Sequence, residues 1–177
     1  MSHVGATVCL VIGYLDIETS FRGEVTVVGL LRSDRGAVQL VGDAITADSL
    51  RLAFRGLDTL CTFNGESFDL PVLRRAYGLG LLERFRSFDL SIECRRTGLR
   101  GGLKRIEASL SIPRRSGGIN GVDAMLLWDR WVTGDRQALQ TLLAYNRDDV
   151  VNLALLERRL RGDLELLPPF APTVVGA

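Results

Sequence analysis

The sequence predicts an α/β domain built on a mixed five-stranded sheet, its first three strands an antiparallel meander, with helices on its flanks. Three observations lead there. An almost unbroken β-prone run at Thr7–Asp16 reads as a strand buried on both faces, the central strand of a layered sheet. Two further β-prone segments follow it at turn spacing. From residue 90 onward the pattern is helical and ends in one long, stripe-bearing helix.

The elements follow in chain order. Glu24–Leu31 (EVTVVGLL) is set off from the first strand by a polar turn, and Gly36–Val41 follows the Ser-Asp-Arg-Gly turn at Ser33–Gly36. Asp48–Arg55 reads as a short helix, Thr59–Phe63 as a fourth strand, Phe68–Tyr77 as a helix closed by Gly78, and Phe85–Phe88 as a fifth strand. The last helix runs from about Asp135 to Arg161, with Leu139, Leu142, Leu143, Asn146, Asp149, Val150, Leu153, Leu156 and Leu160 on one face. A Gly-rich loop at Pro113–Gly121 is preceded by Arg95, Arg96, Arg100, Lys104 and Arg105. The expectation is a single domain over 1–177, with a core of about 7–162 and a proline-interrupted tail, 163–177, that wraps the surface or moves.

Composition excludes several classes. At 46% hydrophobic residues and a mean hydropathy of +0.15, the 177-residue chain can close one substantial core, which argues against disorder. With 22 basic and 21 acidic residues there is no overall field to draw it onto a polyanion, so any such site is local. Basic charge is almost wholly arginine, Lys104 being the single lysine. Cys9, Cys61 and Cys94 show no CxxC spacing and support neither a disulfide framework nor a zinc knuckle; Cys9 and Cys61 read as small core residues. The apolar opening Val4–Leu15 lacks a basic leader and is too short to span a bilayer. A cytoplasmic protein with no membrane partner is expected.

Acids stand in apolar places. Asp16 and Glu18, spaced i, i+2 at the end of the first strand, share one face of the sheet edge. Such a pair either binds a cation through hard oxygen ligands or splits into a turn cap and a solvated acid. Asp69 opens the helix after the fourth strand, where it can serve the helix dipole or a crevice beyond the strand ends. Tyr145 and Asp149, spaced i, i+4, share a helix face; Asp149 lies on the apolar stripe and Asp148 is turned about 100° away from it. Alone, a Tyr–Asp pair is often a structural hydrogen bond. Together, four inward acids converge only if something positive lies between them, and two divalent ions held this way suit phosphodiester cleavage.

The motifs DIET at Asp16–Thr19, NGESFD at Asn64–Asp69 and YNRDD at Tyr145–Asp149 resemble, in order, the three motifs of the DEDD 3′–5′ exonucleases. GLKRIEASL at Gly102–Leu110 and LLAYNRDDVVNL at Leu142–Leu153 are similar to the YprB-like family of exonuclease domains. The resemblance covers about residues 10–160 and implies a ribonuclease H-like three-layer fold. It implies metal-binding acids at Asp16, Glu18, Asp69 and Asp149, and a water-orienting Tyr145 in place of the histidine of the sister subclass, since the single histidine is His3. It further implies two divalent ions, Mg²⁺ or Mn²⁺, and a terminal nucleotide held near Thr19 and Asn64. Lys104 matches a lysine of the YprB-like pattern, either meeting substrate phosphates or standing as a solvated charge. Asp89 reads as a helix cap or a group behind the ligands. The implied activity is metal-dependent 3′–5′ hydrolysis of single-stranded or 3′-ended DNA or RNA. Alternatives are a non-catalytic nucleic-acid-binding platform and a structure-specific endonuclease; a helicase or polymerase partner is left open by the sequence.

Overall fold

A computed structural model describes residues 10–162 and 173–175. Its sheet runs in the order β5-β4-β1-β2-β3-β6. β1 (Ile12–Thr19), β2 (Val25–Arg32) and β3 (Gly36–Val41) form the predicted antiparallel meander. β4 (Thr59–Thr62) pairs parallel with β1, and β5 (Arg86–Asp89) parallel with β4. Short β6 (Thr173–Val175) pairs parallel with β3, so part of the tail expected to wrap or move is an edge strand.

The first strand is displaced from its expected bounds. It runs through to Thr19, because the ladder with β2 continues past both acids to Thr19 opposite Val25. Asp16 and Glu18 are therefore ladder residues rather than strand-end ones. Of the predicted start, Thr7–Cys9 falls outside the described residues, as does the core role given to Cys9; Cys61 and Cys94 are buried free thiols.

Strand alternation sorts β1 onto two cores. Leu15 and Ile17 pack with Leu50, Phe54, Leu70 and Leu73 of α1 (Ala47–Phe54) and α2 (Asp69–Tyr77). Tyr14, on the opposite face, packs with Leu90 and Cys94 of α4 (Leu90–Arg96), Ile106 of α5 (Leu103–Ser109) and Val150, Leu153 and Leu156 of α7 (Arg136–Arg161). Asp16 and Glu18 share Tyr14's parity and so face α7. A third cluster joins Val27 to α6 (Gly121–Val132) and to Ala138, Leu142 and Tyr145 of α7. The one-turn α3 (Leu81–Arg84) was not expected from sequence. Among the described residues no helix is long and apolar enough to cross a membrane.

Gly78 closes α2 in the left-handed region at φ 67°, and a Cβ there would meet nothing within 4 Å. Gly78→Ala therefore isolates the backbone cost of that conformation. It should lower stability by about 1 kcal/mol. Urea unfolding checks this, and an unchanged midpoint would contradict it.

Candidate active site

The alternation of β1 and the stripe of α7 bring acids together beside the end of β4. One carboxylate oxygen each from Asp16, Glu18 and Asp149 lies within 4.8 Å of the others, a group able to hold a metal ion. Asp16 is partly exposed; Glu18 and Asp149 are buried. Glu18 Oε1 is a buried acceptor with no hydrogen-bond partner among the described residues. An unpaired buried carboxylate oxygen is costly, and a bound cation would satisfy it. The donor set is all oxygen, which fits Mg²⁺ or Mn²⁺ better than softer ions.

The remaining candidates from the motifs lie close by. Asp69, in the first turn of α2, accepts at Oδ1 from the Ile17 backbone N–H at 3.0 Å and lines the same cavity of about 290 Å³ as Asp16, Glu18, Tyr145 and Asp149. Thr19 and Asn64 line it too, with Phe63, Phe68 and Met125. Lys104 and Arg105 instead line a neighbouring cavity of about 430 Å³ that shares Asp16, Phe63, Tyr145 and Asp149 with the first. The Lys104 ammonium donates to the Ile119 carbonyl and lies 4.4 Å from the Tyr145 ring centre. Asp89 caps α4, accepting at Oδ1 from Ser91 N–H at 2.9 Å and Asn64 N–H at 2.8 Å. Asp148 accepts from the Arg115 and Ser116 backbone at 2.8 and 2.7 Å, so it fastens the Gly-rich loop while Asp149 faces inward.

Sequence reasoning missed two supports of these acids. Asn146, fully buried, donates from Nδ2 to Asp16 Oδ2 at 2.9 Å and accepts at Oδ1 from Gln39 at 2.9 Å. Its place on the apolar stripe was the available signal. Arg114, in the Gly-rich loop, donates to Asp149 Oδ1 at 2.5 Å and to buried Glu107. No local pattern separates it from Arg115.

Burial, followed by the repulsion of neighbouring acids, raises the pKa values of Asp16 and Glu18 well above the ordinary carboxylate range. Burial pushes Asp69 up to about 7, against the hydrogen bond from Ile17. Burial also raises Asp149, although Arg114 opposes it. Burial, then the nearby carboxylates, keeps Tyr145 protonated well beyond its usual range.

A raised carboxyl pKa favours the fold while the group is protonated in both states. Its contribution is full below the unfolded value of about 4 and is lost as pH rises toward the folded value. For Asp69 that window runs from about pH 4 to about 7. Metal-free wild type should therefore lose stability relative to Asp69→Asn across that window, and saturating Mn²⁺ should reverse the trend. Urea unfolding at stepped pH measures both, and parallel pH curves would contradict the expectation.

Comparison with known proteins identifies a family and a related fold. The family model described as the RNase_H superfamily matches residues 13–161. A solved structure of the family B DNA polymerase from the hyperthermophilic archaeon Pyrobaculum calidifontis is similar in fold, with a TM-score of 0.68 at 18% identity over 85% of this chain. The match spans 24% of that polymerase, so this chain corresponds to about a quarter of its length. No curated protein sequence matches the chain.

Proposed function

The chain belongs to the RNase_H superfamily, and from that premise we propose that it is a metal-dependent 3′–5′ exonuclease of the DEDDy type, close to the YprB-like family, acting on single-stranded or 3′-ended DNA or RNA. One observation carries the reading: three acids from two distant elements converge within 4.8 Å, and a buried oxygen of one of them has no partner among the described residues.

Asp16, Glu18 and Asp149, with Asp69 beside them, would hold two divalent ions, Mg²⁺ or Mn²⁺. Such ions, when bound, lower the pKa of water and stabilise the leaving oxygen of a phosphodiester. The chain supplies position and exclusion. Thr19, Asn64 and Phe68, on the walls of the acid-lined cavity, suit a terminal nucleotide. Lys104 and Arg105, on the walls of the adjoining cavity, suit the phosphates that follow it.

Tyr145 stands where the two cavities meet. Its raised pKa keeps the phenol protonated at neutral pH, so it donates a hydrogen bond that orients the attacking water and does not act as a base. A hydrogen bond to a charged partner is worth about 1.5–3 kcal/mol. Tyr145→Phe should therefore slow single-turnover hydrolysis about 10- to 150-fold and leave Mn²⁺ affinity unchanged. An unchanged rate would remove Tyr145 from the reaction.

Exonuclease against endonuclease action is tested with circular single-stranded DNA beside its linear form. Loss of the linear form alone supports exonuclease action. Cutting of the circle would favour the endonuclease reading.

A further inference from the structure

We infer that Arg114 is a positioning residue for the acidic site: anchored on Glu107, it holds the Asp149 carboxylate in place beside Tyr145. The inference rests on the metal-dependent reading above and extends it to a residue outside the three motifs.

The anchor is built deep. Glu107, 2% exposed at its side chain, accepts from Arg114 Nε at 2.9 Å and Nη2 at 2.8 Å, a two-pronged pairing of guanidinium and carboxylate. Asn152 Nδ2 donates to the same Glu107 at 3.1 Å and to the Pro113 carbonyl at 3.2 Å, which ties the anchor to the start of the loop. From the opposite side, Asp148 grips the Arg115 and Ser116 backbone. Consecutive acids of α7 thus clamp one loop, Asp148 by its backbone and Asp149 by the Arg114 side chain.

The third contact is the informative one. Neutralising Glu107 needs only the fork, yet Nη2 also reaches Asp149 Oδ1 at 2.5 Å, and the guanidinium carbon lies 5.6 Å from the Tyr145 ring centre. Arg114 is not on the walls of either cavity, whereas Asp149 and Tyr145, which it contacts, line both. Its Nη1 is a buried donor with no acceptor among the described residues, so the two carboxylates, not full hydrogen bonding, decide where the group sits. Groups that orient metal-binding side chains in this way commonly change metal affinity about 10- to 100-fold when removed.

The test is calorimetric Mn²⁺ titration, with melting temperatures, of wild type, Asp16→Asn, Arg114→Gln, Arg114→Lys and the double variant Arg114→Gln/Glu107→Gln. Arg114→Gln should weaken Mn²⁺ binding about 10- to 100-fold and lower the melting temperature, since the buried Glu107 carboxylate is left without its cation. The double variant replaces the ion pair with two amides. It should recover the melting temperature while Mn²⁺ binding stays at least about 10-fold weaker. Arg114→Lys keeps the charge without the fork and should weaken binding at an unchanged fold. Wild-type Mn²⁺ affinity in either the double variant or Arg114→Lys would overturn the inference, because neutralisation of Glu107 would then be the arginine's whole role. If wild type itself shows no Mn²⁺ binding that Asp16→Asn removes, the metal reading fails and the inference falls with it, a result read from those two proteins alone.

Discussion

Asp16→Asn should lower metal-dependent hydrolysis at least about 10³-fold while raising the melting temperature of the metal-free protein. The two effects share one cause. Asp16 lies with Glu18 and Asp149 in a group whose burial and mutual repulsion raise its pKa, so at neutral pH the fold bears the cost of either charging that carboxyl or holding it protonated. Asparagine does not titrate, so it carries neither cost, and it keeps an oxygen to accept from Asn146, which now bonds Asp16 Oδ2 at 2.9 Å. Each tenfold displacement of an acid equilibrium is about 1.4 kcal/mol, and 1 kcal/mol moves the melting point of a chain this size by about 2–4 °C. On the proposed metal-dependent reading, hydrolysis would suffer because a bound ion would lose an anionic ligand, on which several kcal/mol of transition-state stabilisation would depend. At about 1.4 kcal/mol per decade, about 4 kcal/mol gives the 10³-fold loss. Activity lost and stability gained is the signature of acids kept for chemistry. A variant that loses both would mark Asp16 as a structural residue.

Gly29→Ala should destabilise the fold by about 3–5 kcal/mol, although Gly29 lies in the regular ladder of β2 opposite Asp16. The reason is space. A Cβ at Gly29 would sit 2.2 Å from Asn146 Oδ1 and 2.9 Å from its Cγ. Asn146 cannot yield cheaply: it is fully buried and joins Gln39 on β3 to Asp16 on β1, and Gln39 in turn donates to the Leu143 carbonyl at 2.9 Å. Overpacking costs about 1–3 kcal/mol, and each buried polar group left unpaired about 1–3 more. The same displacement frees the Asp16 carboxylate, so Mn²⁺ affinity should fall with stability. Adding Asn146→Ala to Gly29→Ala makes room for the methyl and should return part of the lost stability. Urea unfolding of the three proteins measures this. A Gly29→Ala midpoint equal to wild type would show that the side chain above it repacks freely.

Local periodicity carried most of the fold. Alternation along β1 placed Asp16 and Glu18 on one face, and the 3.6-residue stripe of α7 separated inward Asp149 from Asp148, which instead holds the Gly-rich loop. The antiparallel meander of β1 to β3 followed from turn spacing, whereas the parallel placement of β4 beside β1 and of β5 beside β4 was not read from the sequence. Contacts between residues far apart in sequence were not legible. Arg114 meets Asp149 across 35 positions and Asn146 meets Asp16 across 130, and neither pairing leaves a local pattern. The edge strand β6 was hidden for a similar reason, since three residues acquire strand geometry only by pairing with β3.

The most direct test of the central claim is a time course on single-stranded DNA and RNA labelled at the 3′ or the 5′ end, with Mn²⁺, Mg²⁺ or EDTA, for wild type beside Asp16→Asn. The account predicts early mononucleotide release from the 3′ label, a descending ladder from the 5′ label, and neither with EDTA or the variant. Hydrolysis that persists in EDTA or in Asp16→Asn, or that starts at the 5′ end, would contradict it.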